Sequence, residues 1–170
     1  MRTNDLRVAI VFVWFEQDFQ MVLKDKGFWI LQLTGWLLFA YLVYAQAIPA
    51  FDYDLGIAMG TQEPAGTITD VGVAFFWGYA FADVVSYIPL LALGLIGHAL
   101  HKTWGRVALA GALGITIYWP ITALAAVVFA QDAPGWNLPI PLEYWIVLSG
   151  LVVWGCWGLW RLCLEFNAKH

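Results

Sequence analysis

Four stretches of the chain, at about 28–48, 71–99, 107–130 and 144–163, run apolar for about twenty residues or more, and together they hold only two charged side chains, Asp83 and Arg161. A bilayer core about 30 Å thick asks for about 20 such residues per helix. Runs such as residues 107–117 are apolar all round, as a helix in lipid or in a bundle core must be, rather than striped as on a soluble surface. Charged residues make up 12% of the chain, against about a quarter in an average soluble domain. A transmembrane barrel would instead alternate apolar and polar residues over segments of about ten, and no such alternation occurs. The chain therefore reads as an all-α integral membrane protein with four transmembrane helices in one antiparallel bundle.

The basic residues orient it. Arg2, Arg7, Lys24 and Lys26 precede the first span, Lys102 and Arg106 lie between the second and third, and Arg161 and Lys169 close the chain, which accounts for all eight. The connections at residues 49–70 and 131–143 carry acids only: Asp52, Asp54, Glu63, Asp70, Asp132 and Glu143. By the positive-inside rule both termini face the cytoplasm. The expected location is a bacterial inner membrane.

Residues 1–26 are too short and too polar to span. Wound as a helix, they place Val8, Val11, Phe12, Phe15, Phe19 and Val22 on one face, as in an amphipathic helix lying at the cytoplasmic interface. No small-residue cleavage site follows the apolar stretch, so no cleavable signal is expected. The domain reading is an interfacial segment, 1–26, followed by a transmembrane domain, 27–170.

The first outer connection, with Pro49, Gly56, Gly60, Pro64 and Gly66, is long for a bundle and is read as a surface loop over a cavity mouth. Its end, Thr67 to Asp70, supplies a cap for the second helix. In the second outer loop Trp136 is expected at headgroup level. The pairs Gly94 and Gly97, Gly111 and Gly114, and Gly155 and Gly158 mark close helix approaches, within the bundle or at a homodimer seam. Cys156 and Cys163 lie about 10 Å apart on one helix, too far for a disulfide, and read as buried thiols.

Asp83 is the feature with chemistry in it. At about 1.5 Å per residue it lies about 18 Å into the second span, with no Lys or Arg at that depth in any span. Such an acid costs a few kcal/mol to insert, so it must face the bundle interior, and the neutral acid is its expected resting form. At helical spacing Tyr79, Ser86 and Tyr87 share its side, and Pro89 kinks the helix just beyond. The third span offers Tyr118 and Thr122 at matching depth, beside Pro120. Trp77 and Trp119 supply aromatic walls for a flat apolar ligand. The candidate ligand-binding set is thus Asp83, Tyr79, Ser86, Tyr87, Tyr118, Thr122, Trp77 and Trp119. Gln32, Thr34, Tyr41, Tyr44, Gln46 and Ser149 on the first and fourth spans are further lining candidates. The structural alternative is that Asp83 is a register pin, hydrogen-bonded across a helix interface.

His98 and His101 are spaced to share a metal, but the other ligands a metal or haem needs are wanting, so no metal site is expected and headgroup contact is the reading for both. No phosphate-binding loop, zinc-protease helix, nucleophile elbow or Cys-x-x-Cys pair occurs. No cofactor is therefore named by the sequence, and nothing points to nucleic acid. The function expected is binding of a small apolar or lipid-like ligand, or of a partner membrane subunit, around Asp83. Two alternatives remain: an enzyme on a lipid or sterol-like substrate with Asp83 as acid or base, and a proton-coupled carrier built as an oligomer.

Overall fold

The computed structural model of the chain describes residues 26–139 and 142–167. The expected interfacial helix at residues 1–26 falls outside them, Lys26 apart. Among the described residues all regular structure is helical, with no strand. Four helices are long and apolar enough to cross a membrane: α1 (Lys26–Phe51), α3 (Ala65–Ala99), α4 (Thr103–Ala130) and most of α5 (Leu142–Asn167). Between the first two lies the short α2 (Tyr53–Ala58). The chain is an integral membrane protein.

Residues up to Thr34 form one compact unit and residues from Gly35 another. In the first, the opening turns of α1 set the Phe28 and Trp29 rings edge to face at 5.5 Å. All that follows concerns the second.

Pro49 does not open a loop as its residue type predicts. It is buried inside α1, two residues after the end of a π-helical turn at Val43–Ala47. α3 repeats the arrangement, with a π-helical turn at Asp83–Tyr87 just before Pro89. A proline ring crowds the carbonyl four residues earlier and offers no N–H to it; a wider turn relieves the crowding. In α3 the wider bond is explicit, since the Ile88 N–H donates to the Asp83 carbonyl, five residues back. The two π-helical turns lie against each other.

The long outer connection is also more ordered than a surface loop. Asp52 caps α2 by accepting from the Leu55 N–H at 2.9 Å. Tyr53 is buried and donates to the Glu63 carbonyl at 3.2 Å. Burial, and then the Glu63 charge, push its phenol up to about 12. α3 starts at Ala65, but Thr69 breaks it with φ 68° and ψ 166°, a conformation unusual for a β-branched residue. The Thr69 hydroxyl then accepts from the Gly72 N–H at 3.3 Å, so the expected cap is real and restarts the helix. The second outer loop holds this bend in place: the Asn137 N–H donates to the Thr67 carbonyl at 2.7 Å. Trp136 is half-buried with its ring over Gly72.

α3 and α4 form an antiparallel hairpin across the tight turn at residues 100–102. Gly97 faces Gly105, Gly94 faces Leu109, and Tyr87 faces Thr116, each step back along one helix matched by a step forward along the other. A Cβ on Gly105 would stand 2.1 Å from the Gly97 carbonyl carbon, and one on Gly94 would stand 2.6 Å from the Leu109 Cα. These glycines set the approach of the two backbones. Gly155 does the same for α5, where a Cβ would stand 2.8 Å from Ile117. Gly111 and Gly114 do not: Gly111 would meet only the flexible end of Leu90 at 3.2 Å, and Gly114 nothing within 4 Å.

Ends of three helices meet around Glu165. Its carboxylate lies 3.1 Å from His98 Nε2 and 3.7 Å from Arg161, and its backbone carbonyl accepts from Arg106 at 3.3 Å. Arg106 is buried and stacks over the Phe166 ring at 4.8 Å. His98 is therefore a buried tie between α3 and α5, not a headgroup contact. Cys156 and Cys163 are exposed rather than buried. They fall on the side of α5 that also exposes Val153 and Trp160, away from its contact with α4.

Candidate functional site

A cavity of about 440 Å³ opens between the helices, beside the connection at residues 59–63. α3 contributes Phe75, Phe76, Tyr79 and Asp83; α4 contributes Trp119, Ala123 and Val127; α5 contributes Tyr144, Val147, Leu148 and Leu151. Tyr41, Tyr44 and Gln46 reach it from α1, and Thr61 to Glu63 cover it from the first outer connection.

Asp83 is 7% exposed and belongs to the cavity wall. No described residue donates a hydrogen bond to its carboxyl, either side chain or backbone. Its oxygens are not among the fully buried unbonded polar atoms, so the carboxyl opens onto the cavity, where an occupant can bond it. Asp83 is thus not the register pin of the structural alternative, which would require a bond across the interface.

The π-helical turn decides which predicted neighbours stay with Asp83. One residue inserted into a helix turns everything after it by about 100°. Residues before the turn keep α-helical register with Asp83, so Tyr79 shares the cavity, joined by Phe75 and Phe76. Residues within it do not. Ser86 is exposed and its hydroxyl donates back to the Ala82 carbonyl at 2.7 Å. Tyr87 is fully buried, and its hydroxyl pairs with Thr116 Oγ1 at 2.6 Å; the Thr116 hydroxyl also donates to the Ala112 carbonyl at 2.9 Å. Neither lines the cavity.

On α4 the hairpin register sets Trp119, not Tyr118, opposite Asp83. Tyr118 is 65% exposed and points away. Thr122 lies within reach of the Tyr79 hydroxyl, while its own hydroxyl donates to the Tyr118 carbonyl at 3.0 Å. The Trp119 indole N–H is near the Tyr87 hydroxyl but outside hydrogen-bond geometry, and is left buried without a partner. Trp77 stands outside the cavity. Its indole N–H donates to the Ala50 carbonyl at 3.1 Å, tying α3 to the end of α1. Ser149 is exposed, and Gln32 and Thr34 belong to the first compact unit.

Sequence reasoning missed Phe75, Phe76 and Tyr144. The first two were findable, since they continue the Tyr79 and Asp83 face at spacings of three and four. The turn at residues 60–64, expected over a cavity mouth, does contribute Gly60 to Glu63 to the lining. Gln62 reaches the cavity wall because it donates from Nε2 to the Ala45 carbonyl at 3.1 Å. That carbonyl would serve the N–H of residue 49 in a regular helix, and residue 49 is a proline.

Fold and site together define a helical integral membrane protein with an aromatic cavity closed at depth by one buried acid. No protein-family model, curated protein or solved structure matches the chain.

Proposed function

We propose that this protein binds a small apolar or lipid-like molecule in the outer cavity, without catalysing a reaction. The cavity carries the reading: about 440 Å³ falls within the roughly 300–1,000 Å³ of small-molecule sites, which combine apolar walls with a few placed polar groups. An enzyme would need a second acid–base group against Asp83. The nearby hydroxyls have other partners: Ser86 is bonded to Ala82 and Tyr87 to Thr116, and Tyr79, which shares the cavity wall, meets Thr122.

In this reading the four spans form one antiparallel bundle in a bacterial inner membrane. The acid-only connections and the cavity mouth face outward and both termini face the cytoplasm, as the placement of the basic residues supports. Of the glycine pairs weighed for a homodimer seam, Gly114 keeps open space, and a second copy or a partner subunit would dock there.

The test is purification in a mild detergent, followed by native mass spectrometry. The expected result is a small molecule retained by the wild type and lost from Ala123→Phe, which fills the cavity from α4. A wild-type protein that carries nothing, and gains no thermal stability from a total lipid extract, overturns the proposal.

A further inference from the structure

We infer that the ligand is an organic cation, an ammonium head on a compact apolar body, with the head placed against Asp83. The inference rests on the cavity reading above and adds the charge of the occupant.

Three independent features select that charge. First, Asp83 is the deep polar group of the cavity, more than nine-tenths buried, with no donor bonded to its carboxyl among the described residues. A cation beside it favours the ionised carboxylate, which an anion would oppose. A cation supplies the missing counter-charge, and does so where water is scarce and the attraction is strongest. Second, the walls are aromatic: Tyr41, Tyr44, Phe75, Phe76, Tyr79 and Trp119 all face the space. Ring faces carry negative potential and attract ammonium groups, and such cages recur around alkylated nitrogen. Third, among the described residues no Lys, Arg or His lines the cavity, and the other charged group lining it is a second acid, Glu63, at the mouth. The connections on that side of the membrane also carry acids and no basic residue. A cleft lined by one sign of charge concentrates ions of the other sign. The approach, the entrance and the end of the cavity thus favour the same ligand charge.

The geometry separates this ligand from the flat neutral molecules that the tryptophans alone suggested. A quinone carbonyl or sterol hydroxyl would meet the carboxyl with one neutral hydrogen bond and leave the acids at the mouth and on the approach without a role.

The test uses the full-length protein in lipid nanodiscs and two probes of equal shape. Benzyltrimethylammonium carries the charge, and neopentylbenzene replaces its nitrogen with carbon. Binding is read from quenching of tryptophan fluorescence, since Trp119 lines the cavity, with Asp83→Asn as the charge-removing variant and its melting temperature as the folding control. The expected result is that the ammonium binds the wild type at least tenfold more tightly than the carbon isostere, and that Asp83→Asn removes most of that preference while keeping the isostere's affinity. Equal binding of both probes to the wild type, or an undiminished ammonium preference in a folded Asp83→Asn, overturns the charge assignment and leaves the cavity reading standing. Failure of both probes to bind the wild type overturns the cavity reading, and this inference with it. The comparison of the two probes on the wild type remains decisive even where the variant does not fold.

Discussion

The side-chain amide of Gln62 donates to the backbone carbonyl of Ala45 at 3.1 Å, repairing from a loop the hydrogen bond that Pro49 removes from α1. One contact thereby satisfies a broken helix and fastens the outer connection over the cavity.

Gln62→Leu should therefore cost about 1 kcal/mol, since it leaves the Ala45 carbonyl without its donor. The local consequence should be larger than the global one. Hydrogen exchange at residues 59–64 should speed up while the α3–α4 hairpin is unchanged, and equal exchange across both regions would show that the bond does not fasten the loop.

Asp83→Asn should leave thermal stability unchanged or raised. No hydrogen bond to the carboxyl is lost, and a buried acid is replaced by a neutral group of the same size. Melting in detergent measures this, and a fall of several degrees would restore the structural role for Asp83.

Gly105→Ala should destabilise by more than about 3 kcal/mol, the upper end of ordinary overpacking, because the new methyl meets the Gly97 backbone at 2.1 Å. Gly114→Ala should be tolerated, and should gain slightly from alanine's better helix propensity. Parallel denaturation series on the two variants separate these outcomes. A destabilised Gly114→Ala monomer would contradict the open space found there.

Glu165→Gln should cost about 2 kcal/mol. The figure lies below that for breaking a fully buried ion pair, because Glu165 remains 24% exposed. The loss should fall at the helix ends around residue 165, where His98 and Arg161 lose the carboxylate they face, and binding in the cavity should be retained. The check is melting temperature alongside ligand retention.

Membrane-impermeant thiol reagents, applied to a background with Cys156 and Cys163 replaced by Ser, should label Glu63→Cys and Pro134→Cys from outside and Thr103→Cys only after permeabilisation. Labelling of Glu63→Cys from the inner side alone would invert the topology.

The parts of this protein legible in its sequence are those set by single-residue chemistry summed along the chain. Four runs too apolar to be anything but spanning helices needed no tertiary information, because a bilayer imposes length and polarity on each helix separately. The distribution of basic residues likewise predicts an orientation, one that the labelling experiment tests. Even the burial of Asp83 followed from its depth, since an acid facing lipid is too costly.

What only the tertiary structure decided is rotation. Depth arguments placed Tyr118 beside Asp83, but a helix residue one position away points about 100° elsewhere, and the hairpin register turned Trp119 inward and Tyr118 out. That register comes from Gly97 meeting Gly105 and Gly94 meeting Leu109, a match between two surfaces that neither helix shows alone. The π-helical turn at Asp83–Tyr87 similarly moved Ser86 and Tyr87 off the face where regular spacing puts them, and Pro89 signalled a disturbance without saying which carbonyls would rebond. The outer loop is the extreme case. Gln62 finds Ala45 across seventeen residues because an orphaned carbonyl happens to lie there once α1 and α3 have packed, and hydrogen-bond satisfaction between distant segments has no periodicity for a sequence to display.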